Sequence, residues 1–262
     1  MHKVVFLRVM TCVFLLTACK DKKEEISAFN GNKSLEKQIA NTTYGTDPDA
    51  VKWYEYNDNG DLNRQGMSVD TIIFDYTENK IVKRHLDKKH SWQSRVEYTT
   101  DRNGRITESI GFDENDKEIS RNEFFYDEEG YLIKNIELVL ASGSKYSNVY
   151  MYESGNLKEV KAFDMYGKHS SSYAFEYYPD KANNLNLFMQ QISDDIFPNA
   201  RLGKKNKNMV SQMSNISKEG DTLSLLKYSY SEEDNDKLMK EFQSDVLNEF
   251  ETELTYHFKK NK

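Results

Sequence analysis

The chain has 262 residues, of which 37% are hydrophobic, and it includes 17 Tyr and 14 Phe. This low hydrophobic content argues against a multilayer α/β enzyme, whereas the many aromatic residues favour a sheet with one aromatic face and one hydrated face. The formal net charge of −7 disfavours nucleic acid and anionic membranes as electrostatic partners.

The N-terminus has the features of an export signal. Lys3 and Arg8 make a positive start, and residues 9–16 form an apolar run that is too short to span a bilayer as a helix. Leu16-Thr17-Ala18-Cys19 follows, and this tetrapeptide resembles the bacterial lipobox. The alternative is an ordinary signal peptide followed by a chance cysteine.

The lipobox resemblance implies cleavage before Cys19 and diacylation of the Cys19 thiol. Removal of residues 1–18 takes away two basic residues, Lys3 and Arg8, and no acid, so the formal charge moves from −7 to −9. Cys12 lies in the removed segment. Cys19 would then be the only cysteine, so neither an intramolecular disulfide nor a cysteine metal site is expected.

Residues 19–49 are polar and weakly patterned, and we predict a flexible tether there. Within it, Lys23-Glu24-Glu25 resembles the Lys-acidic-acidic export signal of Bacteroidetes surface lipoproteins. A solvated charged linker is the alternative interpretation of this tripeptide.

A hairpin unit recurs along the rest of the chain. In the Phe124–Lys134 copy, Phe124 and Tyr126 share one face of a strand because side chains alternate with period two. The sequence Asp127-Glu128-Glu129-Gly130 is typical of a tight turn, because glycine adopts a positive φ without a steric clash at Cβ. The loop length predicts a hairpin with a type I turn or a G1 bulge.

The repeat is visible as a tyrosine that precedes each acidic turn. The spacings between successive tyrosines are 22, 28, 26 and 25 residues, which fits two strands plus two turns. The tyrosines are Tyr76, Tyr98, Tyr126, Tyr152 and Tyr177.

One segment breaks the strand pattern. Between about residues 184 and 197, apolar residues recur at three- and four-residue spacing, and Pro198 follows. We predict one short helix there that plugs an end of the curved sheet, in preference to a helix that binds a ligand.

In total the sequence predicts an all-β fold. It would be a single large antiparallel meander of about fifteen strands, forming a strongly curved open sheet or half-barrel with one short helix. Runs such as Lys83-Arg84-His85 place charge on both faces. Since a basic residue at the bilayer midplane costs about 2–4 kcal/mol, we expect the sheet to be held at a membrane by lipid alone.

The units resemble YD repeats and, more loosely, variant MORN repeats. A lipobox followed by such a hairpin series resembles the uncharacterised Bacteroidetes lipoprotein family with a porin-like fold, the DUF4595 type. The resemblance covers residues 50–258 and implies a porin-like fold, with no catalytic residues to transfer.

Three constellations that could support chemistry were tested. The histidines show no zinc spacing, and Asp58-Asn59-Gly60 lacks the full order of a calcium loop. Acidic pairs such as Glu128-Glu129 and Glu232-Glu233 would serve a glycosidase only if two carboxylates converged across a cleft. We therefore expect no catalytic residue, metal or cofactor. The histidines after residue 18 are His85, His90, His169 and His257.

These features predict a non-enzymatic lipoprotein of the bacterial outer membrane, exposed at the surface or facing the periplasm. It would be a monomer that binds or scaffolds a glycan, a peptide or another envelope protein, and it would not bind nucleic acid. The first alternative is a lipid or lipoprotein carrier with a helix plug. The second is a hydrolase of envelope polymers.

Overall fold

The computed structural model describes residues 33–42, 45–58, 61–66, 70–87, 89, 91–183, 201–233 and 238–260. These residues form an antiparallel all-β fold of sixteen strands, so the predicted fold class is confirmed. The strands are β1 (Lys33–Thr42), β2 (Gly45–Tyr56), β3 (Leu62–Gly66), β4 (Thr71–Tyr76), β5 (Lys80–Leu86), β6 (Trp92–Thr100), β7 (Ile106–Phe112), β8 (Glu118–Tyr126), β9 (Leu132–Val139), β10 (Ser144–Glu153), β11 (Asn156–Phe163), β12 (His169–Ala182), β13 (Asn208–Ser217), β14 (Thr222–Glu233), β15 (Leu238–Asp245) and β16 (Phe250–Lys260).

The strands pair as a meander, each with its neighbours in sequence. β1 also pairs antiparallel with β16, in a register that runs from Lys33 opposite Lys260 to Thr42 opposite Thr252. With β1 also paired to β2, the ring of backbone hydrogen bonds closes into a barrel. The sequence predicted a strongly curved open sheet or half-barrel. In the structure the sheet is curved as predicted, and its first and last strands also pair, so that it forms a closed barrel.

The prediction of a tether over residues 19–49 is wrong for its second part, because Lys33–Thr42 forms β1 and β2 begins at Gly45. Unpaired edges of β2 and β16 would expose a row of N–H and C=O groups, and β1 satisfies both edges. The backbone hydrogen bonds of a strand form whether or not its apolar and polar residues alternate. The weakly patterned segment Lys33–Thr42 can therefore form a strand between β2 and β16. The signal peptide, Cys19, the tether up to residue 32 and the helix predicted at about 184–197 lie outside the described residues.

The predicted aromatic-turn-Gly hairpin is present between β8 and β9. Asp127 N donates to Tyr131 O (3.0 Å), Gly130 N donates to Asp127 O (3.1 Å), and the Asp127 carboxylate accepts the Tyr131 N–H (2.9 Å). Gly130 has φ +93°, the conformation for which the sequence placed a glycine there. The pairing shifts between Phe125 and Tyr126, as expected for a bulge next to the turn.

The two ends of the barrel differ. We call the end with the β2–β3, β4–β5, β6–β7, β8–β9 and β10–β11 turns the base, and the opposite end the far end. The first or second residue of five successive odd-numbered strands after these turns is an aliphatic residue that is no more than 4% exposed. These residues are Leu62, Ile81, Ile106, Leu132 and Leu157. Together with aromatic residues such as Phe74, Tyr98 and Tyr256, they form the hydrophobic core.

The outer face carries charged pairs between neighbouring strands. Arg84 contacts Asp75 between β5 and β4, and Lys80 contacts Glu97 between β5 and β6 (2.5 Å). Arg95 bonds to Asp116 (2.7 Å) while its guanidinium lies over the Phe112 ring. The core therefore lies inside the barrel, and charged side chains lie on the opposite face of the same strands.

Candidate functional site

The base is held together by tyrosine hydroxyl groups. Tyr126, at the end of β8, donates to the backbone carbonyl of Ile106, the first residue of β7, at 2.6 Å. Tyr76 makes the same bond to Leu62 (2.7 Å), and Tyr177 makes it to Leu157 (2.6 Å). The two strands of each pair are joined by a turn at the far end only. The hydroxyl group therefore links the pair at the base, where no turn connects them.

These tyrosines are partly buried against the core of the base, and Tyr76 and Tyr126 lie next to basic residues. Burial raises the pKa of the Tyr76 and Tyr126 hydroxyls well above the ordinary range, so both are protonated donors. The Arg105 guanidinium lies 4.6 Å from the centre of the Tyr126 ring, and Arg201 lies 6.0 Å from that of Tyr76. Three of the five repeat tyrosines, Tyr76, Tyr126 and Tyr177, therefore serve as structural donors at the base.

Residues 201–207, which we call the strap, cross the base. Arg201 bonds to Asp61 in the β2–β3 turn (2.5 Å), and Lys204 N donates to Gly130 O in the β8–β9 turn (2.8 Å). Lys207 N donates to Gly155 O in the β10–β11 turn (2.9 Å). The strap therefore ties together base turns from three hairpins, and its buried Leu202 joins the core.

The strap also satisfies buried backbone groups. The side chain of Asn206 accepts the Leu157 N–H (2.8 Å), and the Asn206 carbonyl accepts from the Asn183 side chain (3.1 Å). Lys204 lies 4.8 Å above the Tyr131 ring, and burial together with Arg201 lowers the pKa of Lys205 to about 7. The strap is thus an ordered cover of the base.

A buried carboxyl group lies on the inner face of β15. Glu241 is 2% exposed, accepts a bond from Gln243 Nε2 at 2.6 Å and lies 3.4 Å from the Tyr256 hydroxyl. Burial raises its pKa from 4.5 to about 7, against the opposing effect of the two hydrogen bonds. Glu241 therefore has bonded partners within the core, and its protonation is coupled to folding.

Towards the far end, the inner face of β7–β10 becomes polar. Ser109 pairs across strands with Asn122, and Asn135 pairs with Asn148. Ser109 also lies opposite the core residue Tyr98, which places this row inside the barrel. We call Ser109, Asn122, Asn135 and Asn148 the polar wall.

The polar wall is cross-linked by its own side chains. Asn122 Nδ2 donates to Ser109 Oγ (3.3 Å), and Asn148 Nδ2 donates to Asn135 Oδ1 (3.1 Å). The Tyr150 hydroxyl also donates to Asn135 Oδ1 (2.9 Å). The asparagines stay half-buried, in contrast to the nearly inaccessible residues of the base.

Solvent reaches the inner face near the far end. Tyr146, on the inner face of β10, is 40% exposed. His85, which lies opposite Ile72 on β4 and Ser94 on β6, contacts Asp70 at 3.3 Å, and both side chains are 35% exposed. The described residues thus give a barrel with a packed base and a wetter inner surface above it.

The structure keeps apart the residues that were tested as chemical sites. His169 bonds to the Ser172 hydroxyl (2.9 Å), whereas His257 belongs to β16 and His85 contacts Asp70. Glu128-Glu129 lies in the β8–β9 turn and Glu232-Glu233 ends β14. Among the described residues, no three His, Cys, Asp or Glu side chains are grouped as for a metal ion. Cys19, His90, Asn59 and Gly60 lie outside those residues.

The polar wall was not among the residues predicted from the sequence. Its four residues are spaced by 13 positions each, which is one strand plus one turn, so the row repeats at a fixed inward position. A search for polar residues with the hairpin period would have found it. We assigned hydration to one face of the sheet only, and the polar part of the inner face went unrecognised.

Comparison with solved structures places the chain among porin-like all-β folds. It is similar to a porin-like protein from Bacteroides uniformis ATCC 8492, with a TM-score of 0.59 and 16% identity over 86% of this chain and 98% of that protein. A porin-like protein from Bacteroides vulgatus ATCC 8482 gives a TM-score of 0.57 and 15% identity over 85% and 97% of the two chains. At this identity the likeness establishes the fold.

No protein-family model matches the sequence, and no curated protein is similar to it. The porin-like fold implied by the resemblance to the DUF4595-type family is confirmed, whereas membership of that family stays a prediction. No helix among the described residues is both long and apolar enough to cross a bilayer.

Proposed function

We propose that the chain is a lipid-anchored protein of the bacterial outer membrane that binds a ligand inside the far half of its barrel and catalyses no reaction itself. The observation on which this rests is the change along the inner face from a packed apolar base to a row of half-buried amide groups, those of Asn122, Asn135 and Asn148. Binding sites are commonly concave surfaces with a few placed polar groups. The lipobox at Cys19 and the porin-like neighbours support the envelope location.

The proposal of a non-enzymatic role is supported by the contacts of two inner titratable groups, Glu241 and His85. Glu241 is bonded to Gln243 and Tyr256 in the core, and His85 contacts Asp70. The contacts of both groups explain why they lie on the inner face, so neither requires a catalytic role. The two acidic pairs tested from sequence lie in a turn and at a strand end.

The inner face favours a polar ligand over the lipid cargo of the carrier alternative. A lipid carrier needs a continuous apolar surface, whereas Asn122, Asn135 and Asn148 interrupt the inner face of β8–β10. Burying amide groups against an acyl chain would cost about 1–3 kcal/mol for each unsatisfied group.

Native mass spectrometry of the full chain, purified from its own cells in mild detergent, tests the binding proposal. We expect a bound mass that is lost in the Asn148→Trp variant, because the indole would fill the space beside the polar wall. Ser147→Trp is the matched control, since Ser147 is the neighbouring residue and faces outward opposite Phe163. No bound mass, or equal loss in both variants, would count against an internal ligand.

Acyl labelling tests the anchor. Cells given a radioactive fatty acid should label the wild-type chain and leave the Cys19→Ser variant unlabelled. Protease treatment of intact cells then separates a surface protein, which is cut, from a periplasmic one. Equal labelling of both chains would remove the lipid anchor from the proposal.

A further inference from the structure

The polar wall has hydrogen-bonding capacity that the protein does not use. A side-chain amide offers two N–H donors and a carbonyl oxygen with two lone pairs. Asn122 and Asn148 each use a donor, and Asn135 uses its oxygen, in the bonds described above. Within the described part of the chain, this leaves the Asn122 and Asn148 oxygens and the Asn135 Nδ2 donors available. Neighbouring strands thus present acceptors and donors side by side.

Aromatic rings lie next to these amides on the same face. Phe124 is the next inward residue after Asn122 on β8, and it lies opposite Asn135. Tyr146 and Tyr150 are the inward neighbours of Asn148 on β10, and Tyr146 is accessible to solvent. Ring faces contact the C–H surface of a sugar ring, and the adjacent amides can bond to its hydroxyl groups, which both donate and accept.

The charge on this part of the inner face argues against an anionic ligand. Glu137, opposite Asn122 and Tyr146, is the one charged side chain that the register places on the inner face of β7–β10. A carboxylate can accept bonds from sugar hydroxyls, but it repels a uronic acid or a phosphate.

The closed ring of strands argues against an extended peptide. Peptides commonly bind by adding a strand to an exposed sheet edge. The pairing of β1 with both β2 and β16 leaves no free edge among the described strands. We propose that the polar wall, with Phe124 and Tyr146 beside it, binds a neutral carbohydrate. This inference rests on the proposed function, for which it names the ligand class.

An array of neutral and acidic glycans, probed with the labelled full chain in mild detergent, is the first test. We expect binding to neutral oligosaccharides, confirmed by calorimetry with the oligosaccharides that bind on the array. The Asn135→Ala/Asn148→Ala variant should weaken that binding about tenfold, since two lost hydrogen bonds of ordinary strength correspond to roughly this factor. Asn115→Ala, in the exposed β7–β8 turn, should change it less than twofold.

The Glu137→Gln variant tests the inference through a gain of binding, which a misfolded chain would not show. This variant should keep binding to neutral oligosaccharides and gain binding to galacturonic acid oligomers, because the repelling charge is gone. Absence of binding to every neutral glycan, or no effect of the double alanine substitution in a chain that still unfolds cooperatively, would overturn the inference. A bound peptide or lipid in the native mass spectrum would also overturn it, while leaving an internal binding site in place.

Discussion

At the scale of single residues, the hydroxyl of Tyr126 is the clearest link between the repeat and the barrel. Tyr126→Phe removes the donor to the carbonyl of fully buried Ile106 and keeps the ring. We expect the free energy of unfolding to fall by about 1–3 kcal/mol, as for a buried group left without its partner. Urea unfolding followed by circular dichroism measures this.

The matched control for this substitution is Tyr166→Phe in the β11–β12 turn, where the side chain is 75% exposed. That change should stay within about 0.5 kcal/mol. Equal effects of the two substitutions would show that the hydroxyl bonds at the base add nothing to stability.

Glu241 makes stability depend on pH. Its folded pKa is raised to about 7 from 4.5, so the folded chain holds the proton more tightly than the unfolded chain does. The stability that this group contributes is therefore complete below pH 4.5 and is lost as pH rises through 7. Glu241→Gln should remove this loss, so the variant should gain stability relative to wild type from pH 4.5 to 7 and reach a plateau above.

Thermal unfolding of both chains across this pH range tests the expectation, and the difference between them cancels the other titrating groups. Glu123→Gln, an exposed outward change on β8, controls for the loss of one charge. A wild-type-to-variant difference that stays constant with pH would mean that the carboxyl of Glu241 is not taken out of water on folding.

At the scale of elements, the strap depends on a glycine. Gly203 has φ +86°, and a Cβ there would lie 2.5 Å from the Gly130 carbonyl oxygen and 2.8 Å from the Tyr126 ring. Gly203→Ala should therefore lift the strap from the base and cost about 1–3 kcal/mol for overpacking, beyond the backbone strain. Hydrogen exchange should show faster exchange at the Lys204 and Lys207 amides, which bond to base turns.

Gly167→Ala is the control that separates the backbone strain of a positive φ from the steric contact of the added Cβ. Gly167 has φ +71° and nothing within 4 Å of the added Cβ, so only the strain of about 1–2 kcal/mol applies. If Gly203→Ala and Gly167→Ala cost the same and leave strap exchange unchanged, the strap does not pack against the base as described.

The elements show which parts of this fold a sequence can specify. Asp127 to Gly130 was recognisable as a turn because its chemistry is local: a carboxylate that accepts nearby N–H groups and a glycine with positive φ. β1 was not recognisable, since its place is set by the unpaired edges of β2 and β16, which lie elsewhere in the chain. The polar wall was missed because distance from the base, as well as the choice of face, decides how wet an inward residue is.

At the scale of the whole molecule, the charges on the outer face favour our proposal that lipid alone holds the chain at a membrane. A membrane barrel presents an apolar band about 25 Å tall to lipid. Here the outward rows include Arg95 with Asp116, Arg121 with Glu118 and Lys161 with Glu159, on strands β6 to β11. Such ion pairs contribute little to stability at a surface in water. Transferring their charged side chains into the hydrocarbon of a bilayer would cost several kcal/mol for each charge.

We therefore expect a chain that begins at Lys20, and so lacks the proposed lipidation site at Cys19, to remain folded and monomeric in buffer without detergent. The outward charges keep it hydrated, and the closed ring leaves no strand edge for aggregation among the described strands. Light scattering and circular dichroism with and without detergent make the measurement. The full-length chain isolated from its own cells is the comparison, and it should need detergent if it carries the proposed lipid. If the Lys20 chain required detergent to stay dispersed, its outer face would be facing lipid despite the charged pairs, and the anchor would not be its sole attachment.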